Sequence, residues 1–368
     1  MRRKWYNGAY FVETDVMNIA APQTTAAIRP AKVKNYSLSL MRFLAMLSLT
    51  TCHMFQQAGH EITANLLSTA VQIFLLLSGY LYAHKEFADP AARVSFVLKN
   101  VVKILLDFYL CVFLLILPVY YFKAPEYLTG MNIYRLLLGH SGWYGVHHLW
   151  YISSCLLCYM ATPMLFDLKR YFRAKNCTLA GVILLIAAME ILLKSFGSYF
   201  QAYWLSCYVI GYFVADIKDD MPKLRRLWIA ALVVGIGLTA LTYWYKFYYY
   251  DSVLGQVSML TYYTFQFLFQ YGVVIFGLGV FLTLFILTRG ISWPGWARKV
   301  FDTTDTLSYD VYLVHMIFVE GCLTVIGRLG NVWLEAAITL AEVFAAAWIL
   351  HLISGRLKPL VNKLSDKL

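Results

Sequence analysis

Ten long apolar stretches occupy most of this chain, and they constrain its fold more than any other feature. Each is close to the ~20 residues that an α-helix needs to cross the hydrocarbon core of a bilayer. A helix satisfies its backbone hydrogen bonds within one segment, as a lipid environment demands. The sequence therefore predicts an all-α polytopic membrane protein, a bundle of about ten transmembrane helices. The predicted spans are residues 37–58, 64–83, 98–122, 149–167, 177–194, 199–215, 227–245, 263–288, 307–327 and 333–353.

The composition also argues against a soluble protein. Of the 368 residues, 60% are apolar and only 14% are charged, whereas soluble domains carry about 25% charged residues. The formal net charge of +11 could suggest nucleic acid, but proteins that bind nucleic acid concentrate their charge in a basic face or tail. Here the basic residues lie in short loops between the spans. The expected partner is therefore the lipid bilayer and not a nucleic acid.

The distribution of lysine and arginine predicts the orientation of the bundle. With an internal N-terminus, the predicted cytoplasmic segments hold 23 of the 31 Lys and Arg residues, and the predicted external loops hold five. Cytoplasmic loops of membrane proteins are enriched in these two residues. Both termini are therefore expected in the cytoplasm.

The predicted spans divide the chain into three parts. Residues 1–35 have no long apolar segment with a cleavage site, so we expect no secretory signal peptide and predict a mobile cytosolic tail. Residues 36–353 form the transmembrane bundle, and residues 354–368 form a short basic cytosolic tail. Any chemistry is therefore expected inside the bundle.

Two of the seven cysteines, Cys155 and Cys158, form a C-x-x-C pattern. This pattern could indicate a redox or metal site, but a metal site would need further Cys or His ligands nearby. The flanking residues are serine, isoleucine and leucine. We interpret both cysteines as small residues packed in a helix, and no metal is expected.

Arg42 and His53 are ionisable residues inside the first predicted span, where charged groups are costly and usually functional. They are eleven positions apart in the sequence. Eleven positions correspond to three helical turns plus ~20°, so both side chains project from the same helix face. The rise between them is ~16 Å at 1.5 Å per residue. Arg42 is expected near the cytoplasmic end of the span and His53 near the outer end.

Each of these two residues has a structural and a functional interpretation. Arg42 could extend its charge to the inner interface, or it could hold a phosphate, whose geometry a guanidinium matches. His53 could be a hydrogen-bonded packing residue, or a general base whose ordinary pKa suits that task. Their shared helix face favours function. A phosphate clamp and a base together suggest acyl transfer across a membrane.

Four runs of sequence, in order along the chain, resemble signatures of the acyltransferase 3 family of membrane proteins. Arg42 and His53, with ten residues between them, resemble its first-helix signature. The other three runs are IFLLLSGYL (Ile73–Leu81, with Ser78 and Gly79), HLWYISSCLLCYMATPML (His148–Leu165) and SYDVYLVHMIF (Ser308–Phe318). The resemblance covers roughly residues 36–353.

This resemblance implies a membrane O-acyltransferase in the plasma membrane of a bacterium. Such an enzyme moves an acyl group, usually acetyl from cytosolic acetyl-CoA, to a hydroxyl of an extracytoplasmic polysaccharide or another surface glycan. Acetyl-CoA is then the acyl donor substrate and the glycan is the acceptor. Either direct transfer or a covalent acyl-histidine intermediate is compatible with the sequence.

The resemblance also implies roles for individual residues. Arg42 and His53 match the family's essential pair and are expected to be catalytic. The family commonly has two arginines, three apart, where this chain has Asn100 and Lys103, and its usual prolines just after them are absent near Asp107. Lysine can still neutralise phosphate as a point charge. The residues expected to bind donor or acceptor are Ser78, Lys99, Lys103, His148, Trp150, Tyr309 and His315.

Transport of a glycan or lipid-linked sugar is the competing function, because ionisable residues inside a membrane also mark transport paths. Against transport, the sequence has no paired Gly/Pro-interrupted helices in two matching halves. Asp107 and Glu190 are expected to pair with a basic neighbour or a water. His147 could guide the acceptor or could simply be solvated.

Overall fold

The structure is a computed structural model that describes residues 34–140, 142–194, 201–246 and 258–365. These residues form helices and connecting turns, with no strand among them. Short 3₁₀ turns lie at Pro125–Tyr127 and His147–Leu149, and a π-helical segment, Val112–Ile116, joins α4 to α5. The helices are α1 Tyr36–Gln57, α2 Glu61–Leu67, α3 Ala70–Tyr82, α4 Pro90–Cys111, α5 Leu117–Lys123, α6 Gly130–Leu137, α7 Trp150–Ala174, α8 Thr178–Lys194, α9 Ala202–Val214, α10 Met221–Tyr245, α11 Met259–Thr288, α12 Gly295–Val319 and α13 Val332–Ser365.

Every predicted span overlaps one of these helices or two consecutive ones. Seven helical segments of the described chain are long and apolar enough to cross a membrane, so the prediction of an all-α membrane protein is confirmed. α8 and α9 are apolar but shorter, and α12 is more polar. The count of about ten spans and the cytoplasmic placement of both termini therefore stay predictions.

The ninth predicted span, residues 307–327, is displaced from the helix that the structure shows there. α12 begins at Gly295 and ends at Val319. Three aspartates in this helix, at positions 302, 305 and 310, lower its local hydropathy, so the start of the helix does not look like a membrane span. Two of these aspartates, Asp305 and Asp310, face the interior of the bundle.

α12 is the most enclosed part of the bundle. Every residue from Asp310 to Val319 is buried, and a helix that is buried on all sides must be surrounded by other helices. α1 runs beside it in the same direction, because Arg42 contacts Asp305 and, further along both helices, the His53 ring lies near the His315 ring. The two helices therefore carry polar side chains together through the interior.

α3 and α9 pack so closely that glycine is required at their contact. A Cβ atom at Gly79 would overlap the Tyr208 carbonyl group, and one at Gly211 would overlap the Leu76 carbonyl group. Backbones can approach this closely only where a side chain is missing. Gly79 of the second-helix motif thus serves the packing of the bundle.

The two predicted tails differ in what the structure describes. Residues 1–33 of the predicted N-terminal tail lie outside the described residues. At the other end, α13 continues without interruption to Ser365. Residues 354–365 therefore extend the last helix, and one of them, Lys358, enters the interior of the bundle.

Candidate active site

A cavity of ≈ 840 Å³ lies inside the bundle and is lined by both Arg42 and His53. Side chains from α1, α3, α4, α7, α9, α11, α12 and α13 form its walls. We call its two extremities the Arg42 end and the His53 end. The ~16 Å rise along α1 separates them, so the cavity is long as well as wide.

At the Arg42 end, the guanidinium of Arg42 is held by Asp305. Arg42 Nη1 donates to Asp305 Oδ1 at 2.6 Å, and Ser39 Oγ donates to Asp305 Oδ2 at 2.6 Å. A guanidinium has five N–H donors, so this ion pair uses only part of its capacity. Lys85 and Lys103 also line the cavity, which adds positive charge to its wall.

Between the two ends, two buried carboxylates pair with basic residues of α13. Lys358 Nζ lies 2.9 Å from Asp107 Oδ2, and His351 Nδ1 lies 3.0 Å from Asp310 Oδ2. Asp107 and Asp310 are each only 2% exposed. Buried charges in proteins are normally paired in this way, because an isolated one is very costly. The expectation that Asp107 has a basic partner is therefore confirmed.

At the His53 end, four histidine rings gather. The ring centroid of His53 lies 5.5 Å from that of His315 and 6.4 Å from that of His147, and the His148 centroid lies 4.8 Å from that of His315. His147 also contacts the carboxylate of Glu320, with 3.5 Å between Nδ1 and Oε2. His147 is thus part of the cavity wall and not a histidine of a solvated loop.

Hydrogen bonds indicate which ring nitrogen carries the proton in two of these histidines, His53 and His315. His53 Nδ1 lies 3.2 Å from Gln56 Oε1, and His315 Nδ1 lies 2.7 Å from the Tyr312 carbonyl oxygen. A backbone carbonyl can only accept, so the neutral His315 ring carries its proton on Nδ1 and keeps Nε2 as the basic nitrogen. The contact with Gln56 Oε1 favours the same tautomer for His53. His315 Nε2 is buried without a hydrogen-bond partner in the described chain. The His53 end therefore offers basic nitrogens to whatever occupies the cavity.

Aromatic side chains fix the geometry of this end. Tyr312 donates its hydroxyl to the His148 carbonyl oxygen at 2.6 Å, which ties α12 to the turn before α7. Tyr309 donates to the Ile104 carbonyl oxygen at 3.2 Å. Trp150 stacks on Trp204 with 4.8 Å between ring centroids, and both indoles line the cavity. The wall is thus rigid and partly aromatic.

Within the part of the chain that the structure describes, no three His, Cys, Asp or Glu side chains are arranged to hold a metal ion. Cys155 and Cys158 are buried free thiols of α7. The cavity instead has histidine bases at the His53 end and a cationic side chain at the Arg42 end. This arrangement can bind an anionic molecule at one extremity and accept a proton at the other.

The cavity brings together all but one of the nine residues that the sequence analysis expects to be catalytic or to bind donor or acceptor. Lys99 is exposed and does not line the cavity. The eight that do line it are Arg42, His53, Ser78, Lys103, His148, Trp150, Tyr309 and His315.

Several residues that line the cavity, and His351, which pairs with one of them, are not predicted from the sequence. Asp305 lies just before the predicted ninth span, and Lys358 lies in the segment predicted to be a tail. Asp310 and His351 lie inside predicted spans, where an ionisable residue is itself a signal of function. That signal could have identified Asp310 and His351. Asp305 and Lys358 could be identified only once the full lengths of α12 and α13 were known.

Comparison with known proteins gives one result that bears on this site. No curated protein and no solved structure matches the chain. The family profile of an acyltransferase domain, that of the acyltransferase 3 family, matches residues 35–352. This match covers most of the chain and the helices that carry nearly all of the cavity. The chain therefore belongs to the acyltransferase 3 family.

Proposed function

We propose that this membrane acyltransferase transfers an acetyl group from cytosolic acetyl-CoA to a hydroxyl of an extracytoplasmic glycan, in the plasma membrane of a bacterium. The observation that carries the proposal is that one cavity is lined by Arg42 and by His53 at its two extremities. A substrate that enters from one side of the membrane can then meet a substrate from the other side.

The Arg42 end suits the phosphates of the donor. Arg42 lies there, Lys85 and Lys103 also line the cavity, and cations of this kind bind phosphate oxygens through charge-assisted hydrogen bonds. Asp305 accepts a hydrogen bond from Nη1 of the Arg42 guanidinium. The other N–H groups of Arg42 can donate to a ligand. Lys103 supplies a point charge where the family commonly has an arginine.

The His53 end suits the transfer itself. The acceptor hydroxyl oxygen attacks the carbonyl carbon of the thioester, so that a C–O bond forms and the C–S bond breaks. His53 Nε2 takes the hydroxyl proton, and the thiolate of the leaving group is protonated as the base is regenerated. General-base catalysis of this kind contributes about 10²–10⁴-fold to the rate.

A glycan acceptor is supported by the family and by the wall next to His53. Trp150 and Trp204 present indole rings to the cavity. An indole combines an apolar face with a polar N–H, as does the surface of a sugar ring with its C–H faces and hydroxyls. The hydroxyl that accepts the acyl group would be placed against this wall.

The proposal is tested by replacing His53 and Arg42 in turn. His53→Gln should reduce turnover by about 10²-fold or more and leave the Kd of acetyl-CoA nearly unchanged. Arg42→Lys should raise that Kd by about tenfold, because a point charge replaces a planar fork. The measurements are acyl content of the surface polysaccharide by mass spectrometry and acetyl-CoA binding to the purified protein by calorimetry.

Two matched controls lie outside the cavity. His60→Gln, in the loop after α1, and Arg298→Lys, on the exposed start of α12, make the same chemical changes and should preserve activity and donor binding. Full acylation by His53→Gln protein at normal abundance would remove His53 from the mechanism. An unchanged Kd in Arg42→Lys together with a raised Kd in His53→Gln would reverse the two roles.

A further inference from the structure

Asp107 and Asp310 each keep one carboxylate oxygen that pairs with no residue of the described chain. Their Oδ2 atoms pair with Lys358 and His351, respectively. Their Oδ1 atoms are buried and have no hydrogen-bond partner among the described residues. An unsatisfied buried carboxylate oxygen is costly, and nearly all buried polar groups in proteins have a partner.

Both carboxylates line the same cavity, so a ligand in the cavity can supply the missing partners. Asp310 lies five residues after Asp305 and five before His315 on α12, which places it ~7.5 Å along the helix axis from each. Asp107 lies one turn beyond Lys103 on α4. The two free oxygens therefore face the middle of the track between the Arg42 end and the His53 end.

The charge of this middle section selects the kind of group that fits. Lys358 offsets the charge of Asp107, and His351 is positioned to offset that of Asp310. A neutral hydrogen-bond donor can satisfy the remaining oxygens without bringing a further charge into the bundle. The arm of acetyl-CoA between its phosphates and its thioester carries amide N–H groups, and these also need acceptors when the arm leaves water.

We propose that Asp107 and Asp310 bind the arm of the acyl donor, each accepting a hydrogen bond from an amide N–H through its free Oδ1. This inference rests on the proposed use of acetyl-CoA. The arm is then held by directional bonds midway along the cavity. Its thioester is presented to His53 while its phosphates stay at the Arg42 end.

The residues that identify the family do not include the whole of this subsite. The prolines that the family commonly has after its two arginines are absent from this chain near Leu106 and Asp107. Lys358 lies beyond the matched residues 35–352. The pair that Lys358 forms with Asp107 is therefore not part of the pattern that identifies the family.

The test compares acetyl-CoA with two analogues in which one or the other amide N–H of the arm is replaced by an ester oxygen. Each replacement removes one donor and leaves the length of the arm unchanged. In the wild-type protein, each analogue should bind about tenfold or more weakly than acetyl-CoA, because a hydrogen bond to a charged group is lost. Asp310→Ala should abolish the discrimination against one analogue, and Asp107→Ala should abolish it against the other.

For each variant, the Kd of each analogue is divided by the Kd of acetyl-CoA measured on the same preparation. A partial loss of folded protein therefore does not change the ratio. Asp302→Asn, an exposed position on the same helix, should keep the full ratio for both analogues. Equal binding of acetyl-CoA and both analogues by the wild type would overturn the subsite and leave the proposed function standing. If both alanine variants keep the full ratios, the subsite is likewise overturned and the proposed function stands. If the wild type binds no acetyl-CoA, both the subsite and the proposed function are overturned.

Discussion

At the scale of single residues, Asp305 is the side chain whose role depends most on the structure. It holds Arg42 Nη1 at 2.6 Å, and the two side chains are only 25% and 11% exposed. We expect Asp305→Asn to raise the Kd of acetyl-CoA by about tenfold, since an arginine without its anchor loses the orientation that phosphate binding needs. Calorimetry on the purified variant measures this directly.

Asp302→Asn is the matched control, because it removes a carboxylate from the exposed face of the same helix one turn earlier. Its donor Kd should equal that of the wild type. Tighter donor binding by Asp305→Asn would show that Asp305 competes with the phosphates and does not orient the arginine.

Sequence reasoning reaches some of these residues and not others for a physical reason. Arg42 and His53 share one helix, so helical periodicity alone places them on one face. Arg42 and Asp305 are 263 positions apart, and no periodicity connects two separate helices. Lys99 and Lys103 lie on neighbouring turns of one helix, but which of them reaches the cavity depends on how α4 packs, and only Lys103 does.

At the scale of helices, the contact between α3 and α9 provides a sharp test of packing. Gly79→Ala should destabilise the protein by about 3 kcal/mol or more, because its Cβ meets the backbone of Tyr208 and overpacking a tight contact is costly. Gly237→Ala on α10 has nothing within 4 Å of its new Cβ and should be neutral or stabilise by up to about 1 kcal/mol. Thermal unfolding in detergent compares the two.

If Gly79→Ala unfolds at the same temperature as the wild type, the close approach of α3 and α9 is wrong. Gly211→Ala probes the same contact from the other helix and should behave alike, since its Cβ meets the backbone of Leu76.

Hydropathy predicted each of the long helices, although not the short α6 or all of the helix limits. The segments rich in leucine and phenylalanine, such as α11, are found because lipid-facing and buried residues are equally apolar there. α12 extends twelve residues before its predicted start at position 307, because charged residues in this part of the helix, among them Arg298, Lys299, Asp302 and Asp305, lower its hydropathy. Of these, Asp305 holds Arg42 in the cavity, so a residue of the proposed site also makes the start of this helix hard to predict.

At the scale of the whole molecule, the orientation is a prediction of the positive-inside rule that labelling can decide. Single cysteines are introduced at Gly130, the first residue of α6, and at Asp219, before α10; both positions are exposed. A membrane-impermeant thiol reagent applied to intact cells should label the first and not the second. The wild-type protein, whose seven cysteines are buried or half-buried, measures the background.

Labelling at position 219 from outside, or protection at position 130, would invert or break the predicted topology. Either result would also move the Arg42 end away from the cytoplasm and separate it from the donor.

We propose that the acyl group crosses the membrane through the cavity, from a donor on one side to an acceptor on the other. Sealed proteoliposomes that enclose radiolabelled acetyl-CoA can test this crossing. Surface polysaccharide, freed of its acyl groups by mild base, is supplied outside. We expect label on the external polysaccharide with the wild-type protein and none above background with His53→Ala. Transfer that occurs only when donor and polysaccharide share one side of the membrane would show that the acyl group does not cross.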